Sequence, residues 1–148
     1  MNPFELSEQI CDAKTKALFP KYDLVRGEQF SVWDYSGCTQ TIDSENKNFF
    51  LEVKNREVSS TAYDDTTFLE VDKLNGLTAV ANQYDADIFY LVFYTDCAYV
   101  FNLRKIPITD VKISQMNLVY KSKADLGTKN KLIIELPFSA GFKKQLKW

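Results

Sequence analysis

The sequence predicts an α/β domain in which a mixed β-sheet carries helices on its faces. Three observations lead there: a capped amphipathic segment at 2–18, apolar strand-like runs through the middle of the chain, and a strand–helix–strand order across 66–94. At 148 residues, 45% hydrophobic and 14% aromatic, the chain is sized for one domain with a well-packed core. The expected organisation is a single domain over 1–148, with a core at about 4–103 and a basic, β-rich extension over 104–148.

Asn2 is placed to cap the first helix, with Pro3 at its first turn and Glu5 three residues on, as in a capping box. Leu6, Ile10, Ala13 and Ala17 form one apolar stripe, and Phe4, Cys11 and Leu18 a second, so this helix is expected to pack on more than one neighbour. Residues 29–42 read as a strand with an irregular middle at Ser36-Gly37-Cys38. A polar turn at 43–48 leads into a strand over Phe49–Lys54, making an antiparallel hairpin. After a polar loop, residues 66–71 read as a short strand and Asp72 as the cap of a helix to about Tyr84. Asp87–Tyr94 is nearly all apolar, as a central strand requires, and Ala98–Leu103 pairs back on it. Two late strands are expected over 111–121 and 131–138.

The chain has no histidine, which removes Ser-His-Asp and Cys-His catalysis, histidine bases and most zinc sites. Carboxylates and lysines remain, and oxygen ligands select a hard cation such as Mg²⁺ or Mn²⁺. Cys11, Cys38 and Cys97 lack metal spacing and read as reduced thiols. With no apolar run near ~18 residues and no signal-like start, the expected location is the cytoplasm, with no membrane partner. Net charge is only −2, but residues 1–103 carry 8 basic and 17 acidic side chains, and residues 104–148 carry 10 and 3. The basic part, including Lys121, Lys123, Lys143 and Lys144, suits phosphate contacts, or else a solvated surface with lysines on strand edges.

The pattern acid-x-lysine occurs four times, and only Glu52-Val53-Lys54 follows an apolar strand. Alternation puts Glu52 and Lys54 on one face, with Phe50 behind them. A hairpin brings the start of its first strand beside the end of its second, so Asp34 and Glu52 are placed to converge on one or two cations. Lys54 would hold or deprotonate a water and offset charge in a pentavalent transition state. Asp43 competes with Asp34 but sits close to the turn, and Glu8 of the first helix completes an acidic cluster. The plainer readings are a sheet-edge ion pair for Glu52 and Lys54, a turn acceptor for Asp34, and solvated charges for Glu8 and Lys73. Phe89, Tyr90, Phe93 and Tyr94 read as core before base-stacking platform.

The arrangement Glu8, Asp34, Glu52-Val53-Lys54 on helix–strand–strand, followed by strand–helix–strand, resembles the PD-(D/E)xK nuclease superfamily. It resembles Holliday-junction-resolvase-like and phage-encoded members most, over roughly residues 5–103. Trp33 stands where the family usually has proline. The resemblance implies a restriction-endonuclease-like three-layer fold and a Mg²⁺- or Mn²⁺-dependent endonuclease that hydrolyses DNA, in its resolvase-like form structure-selective. It implies Asp34, Glu52 and Lys54 as catalytic residues, and Asp34, Glu52, the Val53 carbonyl and Glu8 as metal ligands. Lys73 falls where some members contact phosphate, and a two-fold substrate would call for a homodimer. The alternatives are a nuclease fold that binds nucleic acid without cutting, and a protein-interaction module with an acidic half.

Overall fold

The computed structural model describes residues 2–20, 22–28, 31–40, 46–107, 109, 111–119 and 128–145. The elements run α1 (Pro3–Leu18), β1 (Val25–Arg26), β2 (Tyr35–Gln40), β3 (Asn46–Asn55), β4 (Thr66–Glu70), α2 (Val71–Tyr84), β5 (Asp87–Phe93), β6 (Cys97–Asn102), β7 (Lys112–Val119), β8 (Thr128–Pro137) and β9 (Phe142–Gln145). The main sheet has the order β1-β2-β3-β5-β6-β9, and a second sheet has the order β4-β8-β7. Among the described residues no helix is long and apolar enough to cross a membrane.

The expected hairpin forms. β2 and β3 pair antiparallel, with Tyr35 opposite Leu51 and Gly37 opposite Phe49. Gly37 is required by packing: a Cβ there would lie 2.5 Å from the Phe49 ring. β3 then pairs in parallel with β5, with Glu52 beside Tyr90 and Lys54 beside Val92. β5 carries the most continuous burial of any strand, because helices and the second sheet cover both of its faces.

Alternation along β3 sorts the core. Phe49 and Leu51 are buried with Cys11, Leu18 and Phe19, the last three from α1 and its exit. Phe50 faces the other way, into Leu77 and Ala81 of α2. The helices therefore lie on opposite faces of the main sheet, giving the three-layer α/β fold expected. On the α2 face, Tyr90 and Val92 continue into a cluster with Leu69, Ile134 and Leu136 of the second sheet.

α1 begins as its sequence requires, with a reciprocal cap: the Glu5 N–H donates to Asn2 Oδ1 at 2.8 Å and the Asn2 N–H donates to Glu5 Oε2 at 3.2 Å. Only one of its two apolar stripes is covered, since Leu6 and Ile10 stay about half exposed. α2 starts two residues earlier than expected, and Asp72 is not its cap. Glu70 occupies that position and makes no capping bond, because β4 runs directly into the helix and the Glu70 carboxylate is held by Lys131 Nζ of β8 at 3.1 Å.

Four further features differ from the sequence reading. Strand β1 forms beside β2. β3 begins at Asn46, inside the segment read as a turn. β4 leaves the main sheet to pair with β8, whose Ile133, Ile134 and Leu136 give it a buried ladder partner. β9 closes the far edge by pairing with β6, so strands beyond residue 103 are bonded into both sheets. Asp43, Lys121, Lys123 and Trp148 lie outside the described residues.

Candidate active site

The end of β3, the residue before β2 and the first turn of α2 meet at one end of the main sheet. The Asp34 N–H donates to the Leu51 carbonyl at 3.1 Å, which ties Asp34 to β3 beside the last ladder pair, Tyr35 with Leu51. Asp34 Oδ2 in turn accepts from the Val53 N–H at 2.7 Å. A charge-assisted bond of this kind fixes the carboxylate against the strand.

Glu52 lies on the α2 face with a side chain only 13% exposed. Burial, then the neighbouring Asp34 charge, pushes its carboxyl up to about 8 from 4.5, and a side-chain hydrogen bond with Asp34 adds to this; Lys73 pulls the other way. The two acids are thus neighbours, and the Asp34 charge disfavours ionisation of Glu52. Lys73 Nζ of α2 stands 3.4 Å from Glu52 Oε2. That oxygen is buried and has no hydrogen-bond partner in the structure. A buried carboxylate oxygen without a hydrogen bond is costly, and the Lys73 ammonium offsets part of that cost.

These donors suit a hard divalent ion: two neighbouring carboxylates supply oxygen ligands, and the buried Glu52 oxygen, which makes no hydrogen bond, calls for positive charge. Lys73 supplies one unit of it. Among the described residues no group of three or more His, Cys, Asp or Glu side chains is placed to hold a metal, so the acid pair stands as the core of the site.

Glu8 lies on the wall of a cavity of about 280 Å³ that Asp34, Val53 and Lys54 also line. Its carboxylate is 3.8 Å from the Arg26 guanidinium, an exposed pair that strand β1 brings to α1. Asp12, on the same wall, accepts from the Tyr35 hydroxyl and pairs with Lys16 at 3.0 Å. Lys54 shares the β3 face of Glu52 and borders this cavity and a larger neighbouring one. Lys73, expected at a phosphate, is engaged instead with Glu52. Lys143 and Lys144 are exposed on β9, at the opposite edge of the sheet from Asp34.

No family model matches this sequence, and no curated protein matches it. The three-dimensional structure does find a match: the Holliday junction resolvase Hjc of the archaeal hyperthermophile Archaeoglobus fulgidus. The superposition covers 90% of each chain at 13% identity, with a TM-score of 0.51. The chain has the resolvase fold. The fold type expected from the sequence is thus the one observed. Within it, the engagement of Lys73 and the pairing of Glu8 with Arg26 were not visible beforehand, because each depends on a contact between elements distant in sequence.

Proposed function

We propose that this chain is a divalent-cation-dependent endonuclease that hydrolyses phosphodiester bonds of DNA, in the structure-selective manner of a resolvase. One observation carries the reading: two neighbouring acids at the end of a resolvase-fold hairpin, with a largely buried Glu52 carboxylate that makes no hydrogen bond through Oε2 and Lys54 two residues along the same face. Asp34 and Glu52 would hold the cation, with the Val53 carbonyl as a further candidate ligand, while Glu8, paired with Arg26, lines the neighbouring cavity without joining the acid pair. When bound, the cation supplies Lewis acidity toward a phosphoryl oxygen.

The protein's own residues do the rest. The Val53 N–H keeps Asp34 oriented. Glu52 must give up its proton before it can ligate, and Lys73 favours the ionised form. Lys54 positions a water with its ammonium and offsets charge on the transition state. Resolvase-like substrates with two-fold symmetry would engage two copies of the chain.

The test is cleavage of branched, nicked and linear DNA in Mg²⁺ or Mn²⁺. Cleavage that Lys54→Ala abolishes supports the reading, and undiminished cutting by that variant overturns the assignment. A second reading is favoured by the Lys73–Glu52 ion pair, which neutralises the acid without a metal. There the fold binds nucleic acid without cutting, and salt-dependent binding unchanged by Glu52→Gln, with no cleavage, is its signature.

A further inference from the structure

The larger cavity bordering Lys54 is about 590 Å³, within the range of sites that enclose a small ligand or part of one. It opens between the end of β3 and the second sheet, and shares Lys54, Asn55 and Glu57 with the cavity that holds Asp34. Whatever fills it lies beside Lys54 and next to the cavity that Asp34 lines.

The lining selects the occupant. Phe68 of β4 forms one wall, and the Arg56 guanidinium lies over its ring at 4.0 Å from the centroid while donating to the Phe68 carbonyl at 3.3 Å. The guanidinium over the ring makes a cation–π pair in the cavity wall, and bases stack on aromatic and guanidinium planes. Tyr63, on the short helical turn Ser60–Tyr63, also borders the cavity, yet its side chain is 60% exposed. An exposed tyrosine at the rim of an aromatic cavity is an available stacking face. Two carboxylates, Glu57 and Glu135, the latter 3.7 Å from Lys112 Nζ, border the same space and balance the charges of Lys54 and Arg56, so the lining has no net positive charge to draw a phosphate inside. They suit a neutral heterocycle with an exocyclic amine, which carboxylates accept from.

Resting on the endonuclease reading above, we infer that this cavity receives an unpaired, unstacked nucleobase adjacent to the scissile phosphate. The backbone of that nucleotide runs past Lys54, and the base turns into the cavity against Tyr63 and the Arg56–Phe68 stack. The substrate class is therefore DNA with an extrahelical or single-stranded nucleotide beside the cut: a bulge, a flap or a frayed junction arm. Taking out a base that is already unpaired costs least, which makes the cavity a source of selectivity.

The experiment uses the full chain and duplexes carrying one 2-aminopurine, either bulged or fully paired, with fluorescence and affinity read in chelator so that nothing is cut. The bulged probe should bind more tightly than the paired one, with a change in 2-aminopurine emission as the base is stacked. Tyr63→Ala should reduce that preference about tenfold and Tyr63→Phe should restore it, since the ring and not the hydroxyl carries stacking. Equal affinity for the two probes, or a preference untouched by Tyr63→Ala, overturns the inference even if the parent cleaves DNA in Mg²⁺. A Tyr63-dependent preference with no cleavage in either metal upholds the cavity and instead sinks the endonuclease reading.

Discussion

Replacing Glu52 with glutamine should make the protein more stable at alkaline pH. Glu52 titrates near 4.5 in an unfolded chain and near 8 in the fold, chiefly because it is buried and secondarily because Asp34 repels its charge. The folded state therefore holds the proton more tightly than the unfolded state does. The stabilisation this gives is fully present below pH 4.5, and is lost as pH rises through about 8. At about 1.4 kcal/mol per pH unit, the whole interval is worth about 5 kcal/mol, a large part of the stability of a domain this size. Glutamine has nearly the same shape and no charge to desolvate, so Glu52→Gln should match the parent near pH 4 and exceed it by several kcal/mol at pH 9. Lys73, a third exposed, can rehydrate when its partner is neutral. The assay is urea unfolding at pH 4 to 9 in chelator, followed by tryptophan fluorescence, to which Trp33 contributes from its packing on Phe50, two residues along the strand from Glu52. Parallel stability curves for parent and variant, or a variant weaker than the parent above pH 8, would refute the argument that burial and Asp34 hold the proton on Glu52.

The other predictions follow from the same geometry. Asp34→Asn keeps an acceptor for the Val53 N–H but removes the repulsion, so the alkaline loss of stability should move to lower pH without vanishing, because burial remains. Mn²⁺ should raise the melting temperature more at pH 8 than at pH 5.5 and release protons into weakly buffered solution, and Glu52→Gln should lose most of both effects. Lys54→Ala should lower cleavage about 10²-fold or more in kcat with DNA binding in chelator little changed, measured by single-turnover gel assay. Gly37→Ala should destabilise the fold by about 1–3 kcal/mol in urea unfolding, since its methyl group would press on the Phe49 ring.

The hairpin and its acids were legible because β structure has a strict period of two. Once Phe49–Lys54 is a strand, Glu52 and Lys54 share a face, and antiparallel pairing carries Asp34 to the same end. The α1 cap was legible for a similar reason: Asn2, Pro3 and Glu5 interact within one helical turn. The cap of α2 was misread because Asp72 is a good local candidate, while Glu70 is recruited across the second sheet by Lys131. The unpartnered stripe of Leu6 and Ile10 shows the same limit, since periodicity reveals an apolar face and not whether anything covers it.

By itself, then, the sequence determined the α/β class, the positions of most strands and helices, and the pairing of one acid with another across a hairpin, all of which rest on neighbours within a turn or a strand pair. Only the tertiary structure decided that β4 abandons the main sheet for β8, that Lys73 comes to rest on Glu52, and that Arg56, Phe68 and Tyr63 enclose a cavity beside Lys54. Those outcomes depend on which apolar surfaces bury each other across some tens of residues of chain. Burial is non-directional and additive over the whole core, so no local pattern encodes it.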